Sequence, residues 1–241
     1  MRVGFLSTCL VDLMRPGVGF AALRLLRANG ISAVVPPGQT CCGQPAYNSG
    51  DHHGARRLAL KTLDDFAGCD CVVVPSGSCA GMLRVHYPRL LDGRHAERAA
   101  QLARNTYELT AFLTTVAKPK HIPGTFRGTV TYHDSCSAQR ELGIQAQPRA
   151  LLARMPGVRL VEMQDRDVCC GFGGAFSVKF GDISAHLADN KCARIAETAV
   201  DAVAGGDLGC LLNIEGRLRR RGDRTTRVLH VAELLAGEER N

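Results

Sequence analysis

Eight of the eleven cysteines follow one pattern that occurs twice along the chain. Each half contains an adjacent pair followed by glycine, Cys41-Cys42-Gly43 and Cys169-Cys170-Gly171, with one cysteine well upstream and one well downstream. The offsets between matching cysteines are 127, 128, 128 and 131 residues. An internal repeat of this kind predicts two similar halves, each of which gathers four thiols. The predicted cofactor and metal ligands are Cys9, Cys41, Cys42, Cys79, Cys136, Cys169, Cys170 and Cys210.

Four thiolates that meet at one point can hold zinc or an iron–sulfur cluster. Structural zinc sites usually take ligands two to four residues apart. Directly adjacent cysteines project in different directions, so we expect them to reach different irons of a larger cluster. The glycine after each pair permits unusual backbone angles, and Gly171-Phe-Gly-Gly174 adds backbone N–H groups that can tune a cluster. The pattern therefore favours iron and sulfur, with zinc in one half left open.

Three cysteines and one histidine need separate interpretation. Cys71 lies in an apolar run, and we interpret it as a small buried hydrophobe. Cys69 and Cys192 have no counterpart in the other half, so we interpret both as non-ligands. His133 lies three residues before Cys136 and is able to ligate or hydrogen-bond a cluster, but a purely structural histidine is an equal alternative.

Short apolar or β-branched runs predict the strands that must position these thiols. In the first half these runs are Arg2–Ser7, Ser32–Val35 and Cys71–Val74. In the second half they are Thr129–Tyr132, Val158–Met163, Val200–Val203 and Arg227–Val231. Strands that alternate with helices predict parallel sheets with right-handed crossovers.

Helical segments are predicted between these strands. Gly17–Asn29 has apolar residues at Phe20, Leu23 and Leu26 and a glycine stop at Gly30. Further helices are predicted over Asp51–Phe66 with Asp51 as N-cap, Ala96–Val116, Pro148–Arg154, Ile183–Thr198 and a terminal helix from Ala232.

The fold class that follows is α/β, with two similar Rossmann-like halves, parallel sheets and a pseudo-twofold internal repeat. Loops at the carboxyl ends of parallel strands converge, and ligands bind there. Spacings above thirty residues are therefore the length of one βαβ unit. We predict an N-terminal half at residues 1–120 and a C-terminal half at 125–241, joined by a linker at Lys118–Gly124.

Composition and the pattern of apolar residues indicate the cellular compartment and the classes of partner to expect. The N-terminus has no basic run followed by a long apolar block, and no apolar stretch is long enough to span a bilayer. We expect a cytoplasmic protein, because clustered cysteines in reducing compartments more often bind metal than form disulfides. The net charge is +7, but we interpret the basic run from Arg217 to Arg227 as a solvated helix end and expect no nucleic-acid partner.

Several stretches resemble a known family. The repeat resembles the cysteine-rich CCG domain that occurs in pairs in heterodisulfide reductase B subunits and in the iron–sulfur subunit of glycolate oxidase. Over nearly the whole chain the motifs resemble those of the lactate utilisation protein A family. They are Thr8-Cys-Leu-Val-Asp12, Gln39-Thr-Cys-Cys-Gly-Gln-Pro-Ala-Tyr-Asn-Ser-Gly50, Pro75-Ser-Gly-Ser-Cys79, Cys169-Cys-Gly-Phe-Gly-Gly174 and Gly209-Cys-Leu-Leu-Asn213.

The resemblance implies an iron–sulfur subunit that oxidises L-lactate to pyruvate together with a ferredoxin-like iron–sulfur protein and a third lactate-utilisation protein. The general motif ends in Cys-x-x-Cys, whereas this chain has Ser76 and Asp207 at the first of those positions. Five cysteines hold a noncubane cluster in heterodisulfide reductase, and this chain offers four per half. A [4Fe–4S] cluster, a noncubane or differently ligated cluster, oxygen ligation by Ser76 or Asp207, and zinc in one half all stay open.

Two other function classes compete with this redox role. One is a zinc-stapled scaffold that only holds partners together, and the other is a heterodisulfide reductase-like thiol–disulfide redox subunit. The sequence indicates no catalytic residue. It also has no dinucleotide fingerprint, because Gly171-Phe-Gly-Gly174 lacks the Gly-x-Gly-x-x-Gly spacing.

Overall fold

The computed structural model describes residues 1–237, which form two compact units. The first unit is Met1–Lys120, and the second begins at His121. This boundary lies within the predicted linker. Residues 238–241 of the predicted C-terminal half lie outside the described residues.

A four-stranded parallel sheet forms the centre of the first unit. Its strand order is β2-β1-β3-β4. Val3 in the first strand pairs with Ala33 on one side and with Cys71 on the other. The strands are β1 (Val3–Phe5), β2 (Ala33–Val34), β3 (Cys71–Val74) and β4 (Thr106–Glu108).

Helices connect these strands and cover the sheet. A π-helical segment, Met82–His86, joins the fifth and sixth helices, and a second one, Leu113–Ala117, extends the eighth. A 3₁₀ turn at Gly93–His95 precedes the seventh helix. The helices are α1 (Cys9–Met14), α2 (Pro16–Ala28), α3 (Gln44–Asn48), α4 (His52–Asp65), α5 (Gly77–Gly81), α6 (Tyr87–Leu90), α7 (Ala96–Arg104) and α8 (Leu109–Phe112).

The second unit repeats this plan with the strand order β6-β5-β7-β8, again fully parallel. Its strands are β5 (Gly128–His133), β6 (Val158–Leu160), β7 (Ala202–Gly205) and β8 (Arg227–His230). Its helices are α9 (Cys136–Leu142), α10 (Ala146–Leu152), α11 (Ala175–Lys179), α12 (Gly181–Glu197), α13 (Leu208–Arg220) and α14 (Val231–Ala236).

The two sheets confirm the predicted α/β fold with two Rossmann-like halves. In each unit the chain passes from an inner strand, β1 or β5, to the neighbouring edge strand, β2 or β6. It then crosses back to the other inner strand, β3 or β7. The carboxyl ends of those two inner strands flank the point where the order reverses, which is where ligands bind in open parallel sheets. The loops that carry the upstream and downstream cysteines begin at this point.

Two predicted helix boundaries are confirmed by their capping geometry. Gly30, just after α2, adopts φ 73°, and its N–H donates to the carbonyl of Arg27. Only glycine takes such angles without strain, so it ends helices often. Asp51 caps α4, since its carboxylate accepts from the N–H of Gly54 at 2.8 Å. Both sequence signals therefore mark real ends.

Two predictions about the first unit are wrong. The apolar residues from which α2 was predicted include Phe20, which is 61% exposed, while the helix buries Ala21, Ala22 and Leu25 beside Leu26. The predicted helix Ala96–Val116 is interrupted by β4, since Val72 of the central strand pairs with Thr106. Tertiary pairing overrides helical periodicity there, because Thr and Tyr suit a pleated strand.

None of the helices within residues 1–237 is long and apolar enough to cross a membrane.

Candidate functional site

Four cysteines of the first unit meet at the carboxyl end of its sheet. Cys9 opens α1 directly after β1, Cys79 lies in α5 after β3, and Cys41 and Cys42 end the loop that follows β2. The Cys9 and Cys41 sulfurs are 3.8 Å apart, and the Cys42 and Cys79 sulfurs are 3.3 Å apart. We call these four residues the first cluster.

Gly43 holds the adjacent pair in this arrangement. It adopts φ 86°, in the left-handed region that glycine occupies without a steric penalty. Its N–H lies 3.4 Å from the Cys41 sulfur. The carbonyl of Cys42 accepts a hydrogen bond of 2.8 Å from the buried Tyr87 hydroxyl, which also lies 3.1 Å from Thr62 Oγ1. Backbone and side chain therefore fix both sulfurs of the pair.

The thiols of the first cluster strongly affect one another. Hydrogen bonds from Cys42 and then Cys9 hold the pKa of Cys41 well below its usual range, and the Gly43 N–H acts in the same direction. The pKa values of Cys9 and Cys42 are raised, first by their contact with Cys41 and then by burial for Cys9 and by Cys79 for Cys42. The thiolate is the form of cysteine that binds metals.

The second unit gathers its four cysteines in the same way. Cys136 opens α9 after β5, and Cys210 lies in α13 after β7. Hydrogen bonds from Cys136 and then Cys170 hold the pKa of Cys169 well below its usual range. The pKa of Cys170 is raised by its contacts with Cys169 and then Cys210. We call these four residues the second cluster.

Gly171 repeats the geometry of Gly43. Its φ is also 86°, and its N–H lies 3.3 Å from the Cys169 sulfur. Different side chains support the two loops, however. Asn213 Nδ2 donates to the Cys170 carbonyl at 2.9 Å, which is the role of Tyr87 in the first unit. The conformation of the pair is thus repeated while the donor has changed.

His133 lies against the second cluster. It ends β5, is 1% exposed, and has one ring nitrogen within 4.8 Å of the Cys170 and Cys210 sulfurs. Burial, followed by the nearby positive charge of Lys191, lowers the pKa of His133 to about 3, while Cys169 and the Arg166 carbonyl act in the opposite direction. The imidazole is therefore neutral, which is the form that binds metals.

Lys191 brings a buried positive charge to the second cluster. It lies on α12, is 2% exposed, and donates from Nζ to the carbonyl of Asp165. Burial lowers its pKa, and the Cys170 thiol is first among the groups that oppose this shift. Sequence reasoning missed Lys191. The internal repeat was the signal that could have found it. Lys191 lies on α12, 129 residues after Thr62 on α4, and both side chains are buried.

Ser76 and Asp207 occupy the positions of the missing motif cysteine. Ser76 Oγ accepts from the Cys79 N–H at 3.3 Å and so caps α5. Asp207 precedes α13, and its carboxylate accepts from Ser135 Oγ at 2.5 Å. Both side chains therefore lie next to a cluster. Ser76 orients the backbone N–H of Cys79, and Asp207 orients the side chain of Ser135.

The remaining cysteines lie away from the two clusters. Cys69 and Cys71 are at the amino end of β3, the end opposite to Cys79. Cys192 is 1% exposed, and its sulfur lies 3.8 Å from the carbonyl of Ile214. Burial raises the pKa of Cys192 to about 11, so this thiol stays protonated.

Three arginines of the basic run near the end of α13 are hydrogen-bonded within their own unit. Arg217 and Arg221 both pair with Asp189, at 2.7 Å for Arg217 Nε and 3.0 Å for Arg221 Nη1. Arg219 donates to the carbonyls of Asp223 and Thr226. These contacts hold Arg217, Arg219 and Arg221 against their own unit at the end of α13.

The donor sets of both clusters fit metal binding. Cys42 and Cys170 are each 2% exposed, and the other six sulfur-bearing side chains are partly exposed. Thiolates select soft or borderline metals and iron–sulfur clusters, and an imidazole suits the same metals. Within residues 1–237, both ring nitrogens of His133 are buried and have no hydrogen bond of good geometry, as expected of a metal ligand.

Comparison with known proteins agrees with this arrangement. The family model of the cysteine-rich domain CCG matches residues 3–84 and again residues 130–215, so one copy falls in each unit. Each matched segment contains the four cysteines of one cluster.

Curated relatives extend the similarity to the full length of the chain. A protein named Lactate utilization protein A from Halalkalibacterium halodurans is 43% identical over 242 residues, covering 100% of this chain and 98% of the relative. Its namesake from Geobacillus kaustophilus is 45% identical and covers 98% of both chains. That from Bacillus subtilis is 42% identical over 98% of this chain and 99% of the relative.

Proposed function

Since the chain belongs to the lactate utilization protein A family, we propose that it is the iron–sulfur redox subunit of a multi-protein system that oxidises L-lactate to pyruvate. The observation that carries the proposal is the gathering of eight thiols into two clusters at the carboxyl ends of two parallel sheets. When bound, an iron–sulfur cluster supplies one-electron transfer at a potential that its surroundings set.

The residues of each cluster have defined roles in this proposal. The thiolates bind the metal. The N–H groups of Gly43 and Gly171 contact the Cys41 and Cys169 sulfurs, and hydrogen bonds to cluster sulfurs tune the potential. Six of the eight cysteines are partly exposed, which leaves each cluster within reach of an electron-transfer partner.

The proposed subunit requires partner proteins. Oxidation of lactate removes two electrons, and the described residues offer no nucleotide fingerprint or assigned catalytic residue for that step. We therefore assign lactate oxidation to the complex, with a ferredoxin-like iron–sulfur protein and a third lactate-utilisation protein as partners. The proposal places the system in the cytoplasm, where thiols stay reduced.

Metal analysis tests the cofactor. Protein purified without oxygen should contain iron and acid-labile sulfide and should absorb broadly in the visible range. Protein made in air should lose both, because exposed clusters oxidise and free thiolates are then oxidised in turn. Stoichiometric zinc without iron after anaerobic reconstitution would instead support the scaffold role.

An activity assay tests the need for partners. The isolated chain should show no lactate-dependent dye reduction, and turnover should begin when both partner proteins are added. In that mixture, Cys42→Ser and Cys170→Ser should each abolish activity. Cys192→Ser is the matched control and should retain nearly full activity, because Cys192 contacts Ile214 rather than either cluster. Robust turnover by the chain alone would contradict the proposal.

A further inference from the structure

His133 is an unusual residue for the end of a buried strand. The side chain is 1% exposed, and neither ring nitrogen has a hydrogen-bond partner of good geometry among residues 1–237. Burying a polar group without a hydrogen-bond partner destabilises a protein, because the group loses its bonds to water. Natural proteins rarely retain such a group without a use for it.

The fold itself does not require a histidine here. His133 precedes Cys136 by three residues, and Leu6 precedes Cys9 by the same number. The strands agree in register, since Phe5 pairs with Val73 as Tyr132 pairs with Ala204. Leu6 is also 1% exposed. An apolar side chain fills this position in the first unit, so the imidazole of the second unit is an addition to a shared frame.

The position of the imidazole indicates its use. One ligand atom from each of His133, Cys170 and Cys210 lies within 4.8 Å of the other two. Ligands bound to one ion at about 2.0–2.3 Å are closer than this, so a small side-chain adjustment brings all three into a coordination sphere. One ring nitrogen of His133 and the two sulfurs therefore form a three-ligand set.

A second contact would orient the ring. Metal-bound histidines usually donate their other N–H to a carbonyl or carboxylate. The carbonyl of Arg166 acts on the His133 ring and also accepts a hydrogen bond from the Asp134 N–H at 3.2 Å. Since a carbonyl oxygen has two lone pairs, it can also accept from the imidazole.

We propose that His133 is a metal ligand of the second cluster, so that the second site has mixed nitrogen and sulfur ligation while the first has thiolates alone. This inference rests on the proposed function for the identity of the metal as iron. Replacement of thiolate by neutral imidazole raises the potential of iron–sulfur centres. The second site is thus the one that is reduced first.

Pulsed electron paramagnetic resonance tests the ligation directly. The protein is labelled with ¹⁵N-histidine, reconstituted without oxygen and reduced, with only the second site retained through the double variant Cys41→Ser and Cys42→Ser. The spectrum should contain a strongly coupled nitrogen. His133→Leu should remove it, His186→Leu on exposed surface should keep it, and the protein with only the first site, made by Cys169→Ser and Cys170→Ser, should lack it.

A metal-free measurement separates ligation from a structural role. Because leucine already fills the equivalent position, His133→Leu should raise the melting temperature of the apo-protein. The same variant should lower the affinity of the second site for cobalt(II) at least about tenfold, since changes even outside the coordination sphere do as much. A structural histidine would give the opposite change in melting temperature and unchanged affinity.

The outcomes distinguish this inference from the proposed function. Iron and sulfide without nitrogen coupling, or coupling that survives His133→Leu, would overturn the role of His133 and leave the redox role intact. Absence of iron and sulfide from both sites would overturn the redox role. Cobalt(II) then decides the ligation alone: identical spectra for wild type and His133→Leu, or no binding at the second site, would overturn it.

Discussion

The carbonyl of the second cysteine in each pair has a different hydrogen-bond donor in the two units. Tyr87, fully buried, donates to Cys42 in the first unit, and the partly exposed Asn213 donates to Cys170 in the second. The backbone angle of the following glycine is nevertheless the same, 86° in both. The repeat has therefore kept the conformation that aims the sulfurs and has changed the side chains that support it.

The helices that cover the two clusters show the same contrast. Buried positions of α4 and its C-cap residue Phe66 correspond to those of α12 at an offset of 129 residues. The pairs are Ala55 with Ser184, Ala59 with Ala188, Thr62 with Lys191, Leu63 with Cys192 and Phe66 with Ile195. Lys191 in place of Thr62 introduces a buried positive charge. At a further matched position, His133 in place of Leu6 introduces an imidazole. The second cluster therefore has a lysine and a potential nitrogen ligand at positions where the first unit has Thr62 and Leu6.

This difference shows which features of a duplicated site are free to diverge. Geometry is retained because four sulfurs must converge on one point. Local charge and hydrogen bonding tune the potential of an iron–sulfur centre without moving its ligands. Two sites with one geometry can therefore have different electronic properties, and substitutions at matched positions measure how far they differ.

The largest expected effect is at the glycines. A Cβ on Gly171 would lie 2.4 Å from the Ser184 carbonyl oxygen, whereas one on Gly43 would lie 3.3 Å from that of Ala55. Both alanine variants adopt left-handed angles at a cost of about 1–2 kcal/mol. Gly171→Ala adds overpacking of about 1–3 kcal/mol. Urea unfolding of the apo-proteins should therefore rank Gly171→Ala as the less stable, and equal losses would show that steric contact is unimportant.

The second largest effect should be the difference in unfolding free energy between breaking a buried ion pair and breaking an exposed one. Asp134 is 2% exposed and accepts two hydrogen bonds from Arg149, at 2.8 and 2.9 Å. Arg149→Met removes these and should cost about 3 kcal/mol, because it breaks a buried pair. Arg56→Met is the control in the first unit, where Asp92 is exposed, and should cost less than about 1 kcal/mol. Unfolding free energies check this, and a small loss for Arg149→Met would contradict it.

The two carbonyl donors should give a smaller difference. Tyr87→Phe leaves the Cys42 carbonyl without its donor in a buried setting, at a cost of about 1–3 kcal/mol. Asn213→Ala should cost less, since the partly exposed Asn213 site admits water to the Cys170 carbonyl. Hydrogen exchange of the Gly43 and Gly171 amides would measure both local effects. Equal protection in the two variants would count against this comparison.

The smallest effect concerns acid stability. Hydrogen bonds from Arg217 and then Arg221 lower the pKa of Asp189 to about 2. Its stabilising contribution is therefore present above the unfolded-state pKa near 4 and is lost as the pH falls toward 2. Asp189→Asn should flatten the urea midpoint against pH across this window. Leu60, the matching position on α4, has no such charge, so Leu60→Ala should leave the slope unchanged.

The fold and the eight thiols could be predicted because they depend on spacing. A gap of about one βαβ unit between cysteines is compatible with only a few arrangements, and the parallel sheet is the simplest. The strand β4 could not be predicted, since Thr106–Glu108 is short and lies in a helix-like stretch. Its identity depends on pairing with β3, a non-local contact that local pattern does not encode.

The surroundings of the clusters were harder to predict than the clusters. His133 was a candidate with two equal interpretations, and the structure adds that it is buried and that, among residues 1–237, its ring nitrogens have no hydrogen bond of good geometry. Lys191 was missed because a lysine on an amphipathic helix is usually exposed. Phe20 was one of the apolar residues that predicted an amphipathic helix, but α2 does not bury the face on which it lies.

The fully parallel sheets also determine when the clusters can exist during synthesis. Each parallel pairing joins residues at least 25 positions apart, as between Ala202 and Arg227, so no short fragment brings four thiols together. Domains generally fold as units, the N-terminal one first as the chain emerges from the ribosome. The first cluster therefore completes while the second is still unmade. Under the proposed function, cofactor delivery would be an ordered process, with a half-loaded nascent chain as its intermediate.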